Sequence, residues 1–317
     1  MIAHRWLLRL LLLLLAACGG PPAPTGLTPI GPWRTQAGLD HPLVGRAWAD
    51  GAFIDVATVP ERLRTAHFVL IGEQHDHPDH HRIQAWLLGA LLRDGPRVTA
   101  FEMLDDADRE AVLQARDPVG LAHAVAWDKS GWPDFELYIP VFQAIFAGEG
   151  TILPAHPDRA TLKGVMTEGL ASWPDTRTVR LGLDRPLPPD QQAAMTAEII
   201  ESHCGHAPEA MVAPMITAQR VKDAWMAWRM AEAGQPVVLI AGNGHTRRDR
   251  GVPAYLPFHD ARPALAVGLL PVHAGRTAPT DYPVGAYDVV IFTPRESDQD
   301  PCERFKAQLE KMRKKPQ

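Results

Sequence analysis

The sequence is poor in cysteine and has no excess of positive charge, and each shortage excludes a class of protein. Three cysteines in 317 residues are too few for a disulfide scaffold or a cysteine-rich zinc module. Lys and Arg total 32 against 37 for Asp and Glu, so no basic surface is expected and nucleic acid is not predicted as a partner. An apolar fraction of 46% and a charged fraction of 22% are typical of a folded globular chain.

Long apolar runs are confined to the N-terminus, where residues 1–17 have the pattern of an export signal. Arg5 and Arg9 precede the leucine run 10–15, and small residues follow it, as in a secretory signal peptide. This run is too short to cross a bilayer comfortably as a helix. No later segment is apolar without interruption over the length that a membrane span needs.

Cys18 stands at the end of this signal. Residues 15–18 (LAAC) resemble the lipobox of bacterial lipoproteins, in which the cysteine becomes the first mature residue and carries lipid. The alternative is an ordinary signal peptide with a chance cysteine. Gly19, in place of an aspartate, predicts release to the outer membrane, with the domain facing the periplasm or the cell surface. Residues 18–40 are rich in proline and glycine and are predicted to tether the domain to that membrane.

Between the two ends, short apolar runs alternate with helical patterns. Continuous apolar runs are typical of strands covered on both faces, so we expect an α/β fold with a central, mostly parallel sheet flanked by helices. This domain is predicted over 41–295, with a mostly helical insertion or cap over 104–235, and 296–317 form a charged tail. The predicted strands are His67–Ile71, Val98–Phe101, Thr151–Leu153, Val237–Ala241, Ala264–Leu270 and Tyr287–Phe292, and the clearest helices are Asp79–Leu92, Asp190–His203 and Pro208–Ala233.

Acidic and histidine residues follow three of the predicted strands. Glu73 and His75 come after the first strand, Glu102 after the second, and His245 after the fourth, and the two histidines close Gly-x-x-His turns. Ligands bind beyond the carboxyl ends of strands in open parallel sheets. Imidazoles and carboxylates at one such edge can hold a divalent transition metal or form an acid–base pair. We predict one shared site, the alternative being that Glu102 only pairs with an arginine.

Other polar residues flank the two turns. His77, His80 and His81 are predicted to lie on the surface at the start of a helix. Asn243 and Arg247, on either side of His245, are candidates to contact a ligand, and the arginine suits an anionic group.

The helical region holds the remaining candidates. Trp132 and Tyr138 form an aromatic cluster that either contacts a ligand or packs in the core. His203 either ligates a metal or haem or caps a helix, and Met215 is either a ligand contact or core filler. Cys204 and Cys302 can form one disulfide in an exported protein, and the sequence leaves this open.

Together these motifs resemble the ChaN-like lipoproteins, a haem-binding uptake family within the Tiki superfamily. The resemblance covers residues 45–295, nearly the whole mature chain. It rests on the segments 71–76 (IGEQHD), 78–81 (PDHH), 101–103 (FEM), 132–133 (WP), 138–140 (YIP), 203–205 (HCG), 219–223 (QRVKD), 242–245 (GNGH) and 251–253 (GVP).

The resemblance implies two functions of different classes. One is an outer-membrane lipoprotein that binds haem or iron for uptake, as a homodimer holding haem between two protomers. In that family a tyrosine from the helical region ligates haem, whereas the four tyrosines here lie outside 201–229. The candidates that remain are His203, Cys204, Met211 and Met215. The other is a metal-dependent peptidase or esterase, in which His75, His245 and Glu102 match the superfamily's metal site and Glu73 is either the general base or a further metal ligand.

Overall fold

The computed structural model describes residues 26–27, 30–300, 302–303 and 306. The predicted signal peptide, the predicted lipid attachment at Cys18 and most of the predicted charged tail lie outside these residues. Within the described part of the chain, no helix is both long and apolar enough to cross a membrane.

The core of the fold is an eight-stranded sheet. Its order is β4-β3-β10-β9-β5-β8-β6-β7, and the six strands from β10 to β7 run parallel, whereas β3 and β4 are antiparallel at one edge. The strands are β1 Gly26–Leu27, β2 Gly31–Pro32, β3 Ala47–Ala49, β4 Ala52–Ile54, β5 Phe68–Glu73, β6 Val98–Asp105, β7 Thr151–His156, β8 Val237–Gly242, β9 Ala264–Pro271 and β10 Val289–Thr293. All six predicted strands are present, and the predicted α/β class with a mostly parallel sheet is confirmed.

Helices cover both faces of this sheet. Successive side chains of β5 enter opposite cores, because strand side chains alternate between faces. Val69 and Ile71 lie with α2 and α5, whereas Phe68 and Leu70 lie with α9. The helices are α1 Val59–Leu63, α2 Pro78–Arg93, α3 Arg109–Gln114, α4 Pro118–Ala124, α5 Phe135–Ala147, α6 Arg159–Glu168, α7 Asp175–Arg180, α8 Pro189–Ser202, α9 Glu209–Glu232, α10 Asn243–Thr246 and α11 Val252–Tyr255.

The chain before the domain packs on the start of α2. Asp79, in the first turn of that helix, is fully buried and accepts hydrogen bonds from the backbone N–H groups of Arg34 and Thr35, at 3.0 and 2.9 Å. Trp33 is buried beside them. Residues 30–40, which the sequence assigned to a tether, therefore lie against the folded body. The buried carboxylate of Asp79 fixes this segment by accepting its backbone N–H groups, and the amino-acid composition of the segment does not reveal this contact.

A disulfide joins the turn after α8 to the end of the described chain. Cys204 and Cys302 are bonded, with their Cα atoms 5.5 Å apart. The sequence left this pairing open. The bond connects the beginning of the C-terminal tail to the turn between α8 and α9.

Candidate functional site

Three adjacent strands bring the predicted acidic and histidine residues together. Strands β5, β8 and β6 are neighbours, so Glu73, His245 and Glu102 meet at the carboxyl edge of the sheet. Glu102 is the centre of the group. Its Oε1 lies 3.1 Å from Nε2 of His245, and its Oε2 lies 3.7 Å from Nε2 of His75 and accepts the backbone N–H of Gly242 at 2.9 Å. The sheet thus places all four predicted strand-end residues in one cluster.

His245 lies between two buried carboxylates. Its Nδ1 is 2.6 Å from Oδ1 of Asp223, which projects from α9, and its Nε2 faces Glu102. Burial alone favours the neutral ring, but the carboxylates of Glu102 and Asp223 raise the pKa of His245 to about 10. Burial raises the pKa of Asp223 to about 6, although the neighbouring imidazolium opposes that rise. The nearby imidazoles hold the pKa of Glu102 well below its usual range despite burial.

Glu73 holds a second set of contacts. Its Oε1 accepts a hydrogen bond from the hydroxyl of Tyr138 at 2.7 Å and lies 2.7 Å from Nδ1 of His75. Its Oε2 lies 3.3 Å from Nδ1 of His81. Burial opposes ionisation, but the two imidazoles lower the pKa of Glu73 below its usual range. Carboxylates Glu102 and Glu73 in turn raise the pKa of His75 against the effect of its burial.

The prediction that His77, His80 and His81 lie on the surface is wrong, because all three are fully buried. Nε2 of His77 lies 2.8 Å from the carbonyl oxygen of Pro294, and Nε2 of His80 lies 2.9 Å from Oγ1 of Thr293. The rings of His77 and His80 stack with their centroids 3.8 Å apart. The end of β10 covers the start of α2, so these imidazoles form internal hydrogen bonds instead of facing water.

A cavity of about 550 Å³ opens beside this cluster, between the carboxyl edge of the sheet and helices α8 and α9. Its volume lies within the range of small-molecule sites. The helices contribute apolar and polar side chains, and the sheet edge contributes the two Gly-x-x-His turns. The lining includes Glu73, His75, Met195, Glu198, Ile199, Gln219, Asp223, Asn243, His245 and Arg250.

Asn243 and Arg247 have internal partners. The Asn243 side chain crosses to β9, where its amide donates to the carbonyl of Leu269 at 2.6 Å and its oxygen accepts the Leu269 N–H at 3.1 Å. Arg247 forms two bonds to the carboxylate of Asp249, at 2.9 and 2.6 Å. Among the described residues, the arginine that lines the cavity is Arg250, which the sequence did not single out.

Trp132 and Tyr138 lie on the other side of the cluster. Trp132 lies against the ring of His75, with centroids 4.9 Å apart. Tyr138 is fully buried and binds Glu73.

His203 and Met215 each lie beside residues that line the cavity, but neither is itself in the lining. His203 ends α8, with Nδ1 2.8 Å from the carbonyl oxygen of Ile199. Met215 packs with Met195, Ile199 and Ile216.

Among the described residues, no group of three or more His, Cys, Asp and Glu side chains is arranged to hold a metal ion. The carboxylates and ring nitrogens of the cluster are paired with one another instead, as the contacts of Glu102 and Glu73 show.

Asp223 and His81 are the cluster members that sequence reasoning missed. Asp223 belongs to the segment 219–223, one of those that carried the family resemblance, yet nothing in its helical spacing distinguishes it from a surface acid. His81 was assigned to the surface.

Together, the α/β sheet, the cluster at its carboxyl edge and the adjoining cavity define an α/β protein with a candidate small-molecule site at the strand ends. The family model described as haem-binding uptake, Tiki superfamily, ChaN matches residues 59–256, and the chain belongs to this family. No curated protein matches the sequence.

Of three similar solved structures, the first supports the fold. The structure of cofacial haem binding to ChaN of Campylobacter jejuni is 21% identical, covers 77% of this chain and 95% of that chain, and has a TM-score of 0.61. The type III effector HopBA1 is 15% identical over 72% of this chain and 88% of its own, with a TM-score of 0.39. An erythromycin esterase mutant in its open conformation is 12% identical over 80% of this chain and 82% of its own, with a TM-score of 0.37.

Proposed function

We propose that this protein binds haem for iron uptake, as a lipoprotein anchored in the outer membrane through lipid on Cys18 and facing the periplasm or the cell surface. Membership of a haem-binding uptake family supports the ligand class. The active form is a homodimer, as the resemblance implies.

The residues around the cavity fit haem in two respects. Met195 and Ile199 provide apolar contacts for a porphyrin face. Arg250 provides a cation on the wall, suited to a carboxylate such as a propionate, although it also pairs with Glu198 and Asp249. Bound haem would supply iron to the uptake process, and the protein's part is to hold it.

The tyrosine hydroxyls do not fit the role of a residue that would hold the haem iron, because each has a partner within the chain. Tyrosine, histidine, methionine and cysteine are the usual protein ligands of haem iron. Cys204 is in a disulfide and is therefore excluded. The hydroxyl partners are Glu73 for Tyr138, Arg220 for Tyr255, His273 and Arg276 for Tyr282, and Asn243 for Tyr287.

His203 has the arrangement of a ligand. Metal-binding histidines usually donate one ring N–H to a carbonyl or carboxylate, which fixes the tautomer and leaves the other nitrogen for the metal. Nδ1 of His203 lies 2.8 Å from the carbonyl oxygen of Ile199, so Nε2 is the nitrogen that would hold the haem iron. The ring is partly exposed and follows Ser202, which lines the cavity.

Titration of the purified protein with hemin, followed by the Soret band, tests the proposal. We expect a saturable shift at micromolar hemin, and a different Soret position in His203→Ala. The matched control is His206→Ala, an exposed histidine in the same turn. No saturable shift in the wild type would refute haem binding. A wild-type spectrum in His203→Ala would refute only this axial ligand.

The anchor and the dimer have separate tests. Labelling cells with a radioactive fatty acid should mark the wild type and not Cys18→Ser, and only the wild type should fractionate with the outer membrane. Sedimentation of the purified protein, measured with and without hemin, should give the mass of a dimer in at least one of the two conditions. An unlabelled wild-type protein, or a monomer in both conditions, would contradict the corresponding part of the proposal.

One observation favours a second candidate, a metal-dependent hydrolase. His75 and His245 lie 3.7 and 3.1 Å from the same carboxylate, Glu102, next to a cavity. A modest separation of these side chains would offer a metal two imidazoles and a carboxylate, with Glu73 as the base. Elemental analysis should then find about one equivalent of transition metal, lost in His245→Ala. A metal-free protein after reconstitution would remove this candidate.

A further inference from the structure

A second cavity, of about 330 Å³, lies at the carboxyl ends of β6 and β7. Trp132 separates it from the main cluster, with its ring 4.9 Å from that of His75 on one side and 6.3 Å from that of His156 on the other. Lys222 also lines this cavity, and its Nζ lies 4.0 Å from Oε1 of Glu102. The second cavity therefore adjoins the main site without sharing its histidines.

His156, the last residue of β7, is buried in the wall of this cavity with 7% of its surface exposed. Its Nδ1 lies 3.1 Å from Oδ1 of Asp105, so the carboxylate orients the ring. Its Nε2 has no hydrogen-bond partner among the described residues. Buried polar atoms in native proteins nearly always have a partner, so this nitrogen indicates that the cavity takes a ligand.

The charges around the cavity favour an anion. Three cations line it, and two of them, Lys129 and Arg159, are exposed at its mouth. The two acidic residues already have local partners: Asp105 contacts His156, and Asp108 accepts the backbone N–H of Asp105 at 2.9 Å. The cations outnumber the acids, and a protonated His156 would add a donor at Nε2.

We propose that this second cavity is a binding site for an oxyanion, the carboxylate or phosphate group of a small ligand. Nε2 of His156 contacts the oxyanion, and Asp105 holds the ring in place. Lys129, Arg159 and Lys222 provide the surrounding positive charge. This site does not depend on haem binding or on metal chemistry in the main cluster.

Isothermal titration calorimetry of the purified protein with inorganic phosphate, and separately with acetate, tests the proposal in a low-salt chloride medium. We expect saturable binding of at least one probe, and the probe that binds tells a phosphate from a carboxylate site. His156→Asn keeps an amide near the position of Nδ1 and removes Nε2, so binding should weaken about tenfold, as expected for one charge-assisted hydrogen bond. His156→Gln places an amide near the position of Nε2 and should bind within about twofold of the wild type.

The controls keep the result interpretable if a core variant fails to fold. Lys129→Gln changes an exposed residue at the mouth and should weaken binding about threefold, whereas Lys163→Gln, exposed on α6, should have no effect. If neither phosphate nor acetate gives a binding heat with the wild type, the proposal is overturned. Binding that survives unchanged in both His156→Asn and Lys129→Gln would also overturn it, because the oxyanion would then bind elsewhere.

Discussion

Replacing Glu102 with glutamine tests whether the buried charges hold the site together. Its carboxylate contacts His245 at 3.1 Å and the N–H of Gly242 at 2.9 Å, and it is 2% exposed. Glutamine keeps the shape and one acceptor oxygen but removes the charge. Breaking a buried ion pair by removing one partner typically costs about 3 to 5 kcal/mol. The rise of the pKa of His245 from 6.5 to about 10 comes, against burial, from Glu102 and Asp223 together, so Glu102 accounts for only part of the corresponding free energy of about 5 kcal/mol.

The direction of the pKa shifts determines how the stabilising effect of this ion pair changes with pH. The pKa of His245 is higher in the folded than in the unfolded protein, so its stabilising effect is complete below pH 6.5 and is lost as the pH rises toward 10. The pKa of Glu102 is lowered by folding, so its effect is present above its ordinary pKa of 4.5 and is lost in acid. The ion pair therefore stabilises the protein most between pH 4.5 and 6.5.

Urea unfolding from about pH 6 to pH 10 measures the effect. Glu102→Gln should be less stable than the wild type by about 3 to 5 kcal/mol near pH 6, and the difference should narrow as the pH approaches 10. The control Glu110→Gln changes an exposed glutamate of α3 and should stay within about 0.5 kcal/mol of the wild type. A stability difference that does not change with pH would refute the electrostatic argument and indicate a packing effect.

Three further predictions concern the surroundings of the site. Gly72→Ala puts a methyl group 2.2 Å from Oδ1 of Asn243, and should lower the free energy of unfolding in urea by about 1 to 3 kcal/mol. Cys204→Ser opens a disulfide with a sequence separation of 98 residues, and should cost about 2 to 4 kcal/mol under oxidising conditions, whereas reductant should remove the difference from the wild type. Burial lowers the pKa of His80 far below 6.5. The stability that the neutral, buried ring contributes to the fold is therefore present above pH 6.5 and is lost in acid. His80→Gln should therefore lose less stability than the wild type between about pH 7 and pH 5, and an equal or larger loss would contradict this.

The strands of the sheet could be predicted because the apolar residues of each strand by themselves indicate that it is buried. Continuous apolar runs such as 237–241 need no distant partner to be recognised. Strands β3 and β4 have three residues each and pair antiparallel at the edge, so no run of useful length predicts them.

The position of the site could be predicted from topology, but its charge pairing could not. Glu73, Glu102 and His245 stand at strand ends, and parallel strands deliver such residues to one edge. Asp223 reaches His245 only because α9 packs on the sheet with that side inward. The burial of His80 similarly depends on Thr293, 213 residues away in the chain. Local sequence patterns predict neither the contact of Asp223 with His245 nor the burial of His80.

The repeated Gly-x-x-His pattern has a steric reason that links the two turns. A Cβ on Gly72 would lie 2.2 Å from Oδ1 of Asn243, a residue of the second turn. A Cβ on Gly242 would lie 3.0 Å from Nε2 of His75, a residue of the first turn. Each glycine thus makes room for a side chain of the other turn. The two turns form one interlocked unit, and this explains how two histidines 170 residues apart in the chain come to lie beside the same carboxylate.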